Sequence, residues 1–220
     1  MAISLPMFPL GAVTFPGATL SLHVFEDRYR ELLSHLLSLP EDERVFGTVA
    51  IRDGHEVGAS SVRSAHRVGC EVLLTDVTEG DEGTFAVTAA VRQRIRVDAV
   101  VESASFMWGE VEHLAERPGD GADDAATRAH AIYRAYLERL ESMGVALTDD
   151  DLPTDPLPMS YALSARTLLT LRDRQDLLEA PDAATRLRQV SRLLVAEMTA
   201  IRAIPSLPAT DISRTGWSPN

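Results

Sequence analysis

Glu26, Asp27, Arg28, Tyr29 and Arg30 follow one another without a break inside LHVFEDRYRELL, residues 22–33. Carboxylates and guanidiniums at that density could line an active site, or they could clamp two elements of a fold together. A second set is spaced differently. Arg92, Arg94 and Arg96 alternate, which on a strand puts three cations on one face, a ladder able to track a phosphate backbone. Glu110 and Glu112 alternate in a following strand and could neutralise that ladder across the sheet instead. No aromatic residue is interleaved with the arginines to stack bases, so the salt-bridged face is the preferred reading.

Other chemistries leave fewer traces. There is no GxSxG elbow, no SxxK and no cysteine-protease signature around Cys70. The six histidines are dispersed, and neither HExxH nor CxxC is present to hold zinc. His23 falls on the polar side of its strand. Cys70 lies in the apolar run VGCEVLL and is expected to be a buried small side chain; alone, it can form no internal disulfide. GDGADD, residues 119–124, superficially looks like a phosphate loop, but its acids would repel a phosphate. Asp149 to Asp151 lack the spacing of a calcium loop. All 21 basic residues are arginine, so this sequence can form no Ser-Lys dyad, P-loop lysine or Schiff base. No catalytic residue, metal or cofactor is expected.

Charge narrows the partners. A net charge of −12 and a pI near 4.9 over 220 residues repel nucleic acid and anionic membranes. No apolar run is long enough to span a membrane, and MAISLPMFPLG lacks the positive start of a signal peptide, so a cytoplasmic protein is expected.

The elements that must position these residues fall into two halves. Residues 1–115 read as short strands: LPMFPL and VTFPG with prolines suited to edges and turns, then ATLSLHVF, VFGTVAI, HRVGCEVLLTDVTEG, TFAVTAAV, IRVDAVVES and FMWGEVEHL. One amphipathic helix interrupts them, with Leu32, Leu33, Leu36 and Leu37 at helical spacing and Pro40 beyond its end. Residues 116–125, rich in Gly, Asp and Ala, read as a linker. Residues 126–204 read as helices: a stripe from Ala129 through Tyr133, Tyr136 and Leu140 closed by Gly144, a start at Asp155-Pro156, a capping box from Thr170 to Asp173, and a long helix through Leu187, Val190, Leu194 and Ile201. The tail, residues 205–220, is too poor in apolar residues to fold and is expected to be disordered.

The opening run LPMFPLGAVTFPGATLSLHVFEDRYRELL resembles the start of the Lon N-terminal domain family, in which a proline-punctuated strand and a second strand lead into a Phe/Glu-x-Arg-Tyr helix start. FGTVAIRDGHEVG, VRQRIRVDAVVES and FMWGEVEHL are similar to the family's later strands, and YALSARTLLTLRDRQDLLEAPDAATRLRQVSRLL to its Gln-x-Leu-Leu-Glu segment and Arg-Leu helix. The resemblance covers about Leu5 to Ile204. It implies an α+β fold, a small PUA-like β-barrel followed by a C-terminal α-helical bundle. It also implies substrate recognition, with ATP hydrolysis and peptide cleavage belonging to other domains of the Lon protease, so that a peptidase S16 family name would describe ancestry alone.

On this reading Phe25, Glu26, Arg28 and Tyr29 are structural, fastening the helix to the sheet, with Glu26 placed to pair with Arg30 at i, i+4. The expected function is that of a stand-alone bacterial module, not an enzyme, that binds a polypeptide or partner protein through an apolar surface, with Trp108 a contact candidate. The alternatives are a PUA-like nucleic-acid or small-ligand binder using Arg92, Arg94 and Arg96, and an enzyme with a site assembled only in three dimensions.

Overall fold

The computed structural model describes residues 3–52, 65–102, 105–145 and 152–203. The chain divides into two compact units, one of Met1–Ala115 and the other beginning at Glu116. The fold is α+β.

The first unit carries β1 (Ile3–Leu10), β2 (Thr19–Val24), α1 (Asp27–Leu37), β3 (Val45–Ile51), β4 (Ala65–Glu79), β5 (Phe85–Glu102) and β6 (Met107–His113). The six strands form one sheet in the order β2-β5-β4-β3-β1-β6, and β6 also pairs with β5, so the ladder β5–β4–β3–β1–β6 returns to its start. Alternation produces β2, where Leu20, Leu22 and Val24 are buried and the residues between them exposed. Its inner core contains Leu5, Met7, Val49, Ile95, Val97, Met107 and Val111.

Two differences from the sequence reading have plain causes. TFAVTAAV and IRVDAVVES are one strand of 18 residues, because shifts of register opposite Glu71/Val72 and Leu74/Asp76, and again at Val97/Ala99, let β5 bend from β4 onto β6 without breaking. The proline-bearing β1 is flanked on both sides instead of lying at an edge. Ile3 to Pro6 pair with β6 and Met7 to Leu10 with β3, so each proline sits where the strand is bonded on one side only.

The second unit has α2 (Ala122–Glu141), α3 (Pro156–Arg166), α4 (Leu171–Leu178) and α5 (Ala183–Ala203). Asp155 caps α3 by accepting from Leu157 N at 2.8 Å, with Pro156 in the first turn, and Thr170 caps α4 by accepting from Asp173 N at 3.2 Å. Gly144 takes φ 81° after α2, the left-handed turn a C′ glycine supplies. The segment read as a linker is not free of the helices. Arg117 O and Pro118 O accept from the backbone of Ala183 and Ala184 at 3.0 and 2.9 Å, Glu116 accepts from Tyr161 Oη at 2.6 Å, and α2 already begins at Ala122. Asp182, immediately before α5, accepts from Thr185 N at 2.7 Å, and that bond is the main reason its carboxyl lies below the ordinary range. Residues 149–151 and the tail lie outside the described residues. No described helix is long and apolar enough to cross a membrane.

Candidate functional site

The ionisable run at residues 25–30 forms the joint between β2 and α1. Tyr29 is buried and stacks on Phe8 of β1, with centroids 3.9 Å apart and rings 13° from parallel. Arg28 lies over the Tyr29 ring: its guanidinium carbon is 4.4 Å from the centroid, and Nε and Nη2 each reach Glu26 Oε2 at 2.9 Å. Glu26 therefore takes Arg28 and not the expected Arg30. Arg30 turns back instead, donating from Nε and Nη2 to Phe25 O at 2.9 and 2.7 Å. Phe25 itself is left largely exposed. Every charge in the run is spent on a neighbour within the turn, an arrangement that orients Tyr29 for its stack. Arg28→Ala, which removes the ion pair and the cation–π contact together, is expected to cost about 1–2 kcal/mol. Thermal unfolding checks this; an unchanged midpoint with altered partner binding would move Arg28 to a contact surface.

The structure does not assemble the three arginines. Arg92 is exposed but occupies the register shift opposite Glu71/Val72, Arg94 is only 2% exposed, and Arg96 is exposed. Arg96 faces its cross-strand partner Glu112 at 2.8 Å and Asp98 at 3.1 Å, and these carboxylates, Asp98 foremost, raise its pKa. Glu112 is thus spent on Arg96, while Glu110 stands exposed. At the buried end of the sheet, Glu71 Oε2 lies 2.7 Å from His113 Nε2 and its Oε1 accepts from Gln93 at 3.5 Å. Among the described residues no group of His, Cys, Asp or Glu could hold a metal ion. Cys70 is buried, with Sγ 3.4 Å from Thr14 O.

Trp108 has the more informative surroundings. It is half-buried on the outer face of β6, its ring 5.6 Å from Phe106 and 5.4 Å from His35, which lies on the last turns of α1. His35 and Phe106 are 5.5 Å apart, closing a cluster of three rings. Val101 stands directly opposite Trp108 across the β5–β6 ladder and is 53% exposed, and Leu37, two residues beyond His35, is 41% exposed.

The shift of register at Asp98 decides what its neighbours do. Past it, Val100 pairs with Gly109 on the inner face while Val101 pairs with Trp108 on the outer. Val100, 38% exposed, joins Met7, Val49 and Val97 in lining a cavity of about 620 Å³ that Val101 also borders. The end of this hairpin thus offers apolar surface on both faces, with His66, Arg67 and Asp98 on the border of the cavity. Trp108 was legible as a candidate. Val100, Val101, Phe106, His35 and Leu37 were not, and the adjacent pair of valines in DAVVES is the one signal that the strand turns apolar on both sides.

A family model described as the ATP-dependent protease La (LON) substrate-binding domain matches residues 4–196. Among curated proteins, Lon protease 2 of Syntrophobacter fumaroxidans (strain DSM 10017 / MPOB) is 22% identical over 185 residues, covering 81% of this chain and 22% of its own. The chain spans only about a fifth of that relative's length. A Lon N-terminal domain protein from Xanthomonas campestris matches with a TM-score of 0.61 and 26% identity, over 86% of this chain and 96% of that one. The N-terminal domain of Mycobacterium avium complex Lon protease has the same fold, with a TM-score of 0.62 at 16% identity, over 90% of this chain and 98% of that one.

Proposed function

The chain belongs to the LON substrate-binding domain family, and on that footing we propose that it is a non-enzymatic, cytoplasmic recognition module that binds apolar segments of polypeptide. The observation that supports this reading is the exposed valine pair at the end of β5, both valines bordering the 620 Å³ cavity and Val101 also opposite Trp108 of the ring cluster with Phe106 and His35. Trp and Phe bury large area at small entropic cost, and an aromatic anchor flanked by apolar neighbours is what a binding hot spot requires. The closed circuit of strand pairings supports reading the sheet as a small PUA-like barrel, with α2–α5 as its accompanying bundle.

Phe25, Glu26, Arg28 and Tyr29 serve this function indirectly. They hold α1 at the angle that brings His35 to Trp108. A phosphate-tracking surface would need the three arginines together, and the buried Arg94 and the paired Arg96 argue against it.

Binding of a reduced, carboxymethylated and therefore permanently unfolded polypeptide tests the proposal. Trp108→Ala is expected to weaken affinity by about tenfold or more, and Val101→Asp by a similar factor, with melting temperatures close to that of the parent. Parental affinity in both variants would refute the assignment of this surface.

A further inference from the structure

We propose that the helical unit carries a second, electrostatic contact site, a groove between α2 and α5 that takes a short acidic segment of polypeptide. The groove has a volume of about 640 Å³ and is lined by Arg128 and Ile132 of α2 and by Thr185, Arg188 and Arg192 of α5. Helical spacing aligns these residues. Arg128 and Ile132 are four apart on one helix and Arg188 and Arg192 four apart on the other, so two rows face each other across the groove.

The two helices start at the same end. Arg188 Nη2 donates to Asp120 O at 2.6 Å just ahead of α2, and Asp182 draws on the Arg188 charge just ahead of α5. Arg188 is thereby held in place. Arg128 and Arg192 are exposed and form no salt bridge among the described residues, although this chain carries 33 acidic side chains. Asp124 is the one carboxylate lining the groove, so the lining charge is three positive against one negative.

The chemistry of the occupant follows from that balance. Three arginines offer planar forks suited to carboxylates, and Ile132 offers an apolar floor, a combination matched by a segment in which a few acids alternate with apolar residues. A long polyanion fits worse, because beyond the three arginines it meets a chain of net charge −12. The site lies wholly in the helical unit and is independent of the ring cluster around Trp108.

Fluorescence anisotropy with the full chain provides the test, using a labelled twelve-residue peptide of alternating Glu and Leu and a counterpart with Lys in place of Glu. The Glu peptide is expected to bind with an affinity that falls as salt rises. The double variant Arg128→Glu/Arg192→Glu is expected to lose about tenfold or more, and Arg128→Gln/Arg192→Gln, which adds no repulsion that could disturb the helices, a smaller factor in the same direction. Trp108→Ala should leave this affinity unchanged, which separates failure here from failure of the apolar surface. Equal binding of the two peptides, parental affinity in the Gln variant, or binding of single-stranded RNA in preference to the Glu peptide would overturn the proposal.

Discussion

Replacing Arg186 with methionine is expected to destabilise the helical unit by about 3–5 kcal/mol, the largest loss from any single side chain in it. Arg186 is fully buried. Its Nε donates to Leu177 O at 2.9 Å and its Nη1 to Ser160 Oγ at 2.8 Å, with Nη2 3.4 Å from Ala180 O. The guanidinium carbon also lies 4.0 Å from the centroid of Tyr161, whose hydroxyl donates to Glu116. One cation therefore ties α5 to the end of α4, to α3 and to the segment that precedes α2.

Methionine fills most of the volume, yet it leaves carbonyl oxygens and a hydroxyl in the interior with their donors removed. The desolvation cost of those groups is what sets the magnitude. For a chain of this size the loss corresponds to a fall in midpoint of roughly 6–20 °C, read from helix ellipticity at 222 nm. Arg186→Lys should recover little, because an ammonium on a flexible stem cannot reach three acceptors in a fan. A methionine variant that melts with the parent would show that the buried cation is dispensable for stability.

Arg186 also marks what a single sequence conceals. Ala183, Leu187, Val190 and Leu194 form the buried stripe of α5, and position 186 falls on that stripe. An arginine on an apolar stripe is the visible sign of a buried cation, but the acceptors that make it tolerable lie nine and twenty-six residues away and only the fold assembles them. Locally determined features were legible: the caps at Asp155 and Thr170, the left-handed Gly144, the stripe of α1, and the alternation of β2. Each depends on contacts within a few residues.

What depended on register was not legible. Alternation alone puts Arg92, Arg94 and Arg96 on one face, but the register shift opposite Glu71/Val72 takes Arg92 out of line, and burial separates Arg94 from the exposed Arg96. The same kind of shift at Asp98 puts Val100 on the inner face and Val101 on the outer, the reverse of what alternation from Val97 would give. The charged run at residues 25–30 was correctly placed where the strand yields to the helix, but its pairing was not, because Arg30 finds a carbonyl at the joint that helical spacing does not foresee.

Gly69→Ala is expected to cost about 3 kcal/mol or more, whereas Gly109→Ala should cost about 1–2 kcal/mol, although both glycines sit in strands of the same sheet. At Gly69, which pairs with Val49 across β3, an added Cβ would run into the carbonyl oxygen of Thr48 and come within 2.8 Å of Val49 Cγ1. A backbone carbonyl held in the ladder cannot step aside, so relief requires β3 and β4 to separate where β3 shifts register between Val49 and Ile51. At Gly109 the nearest atoms are Met7 Sδ at 2.7 Å and Cγ at 2.9 Å, on an unbranched side chain that can rotate into the cavity it lines. The close approach of β4 to β3 thus fixes the β4 position to glycine, while that of β6 to Met7 only favours it. Urea denaturation of the two variants measures the contrast, and equal losses would mean that the approach at Gly69 relaxes as readily as a methionine turns.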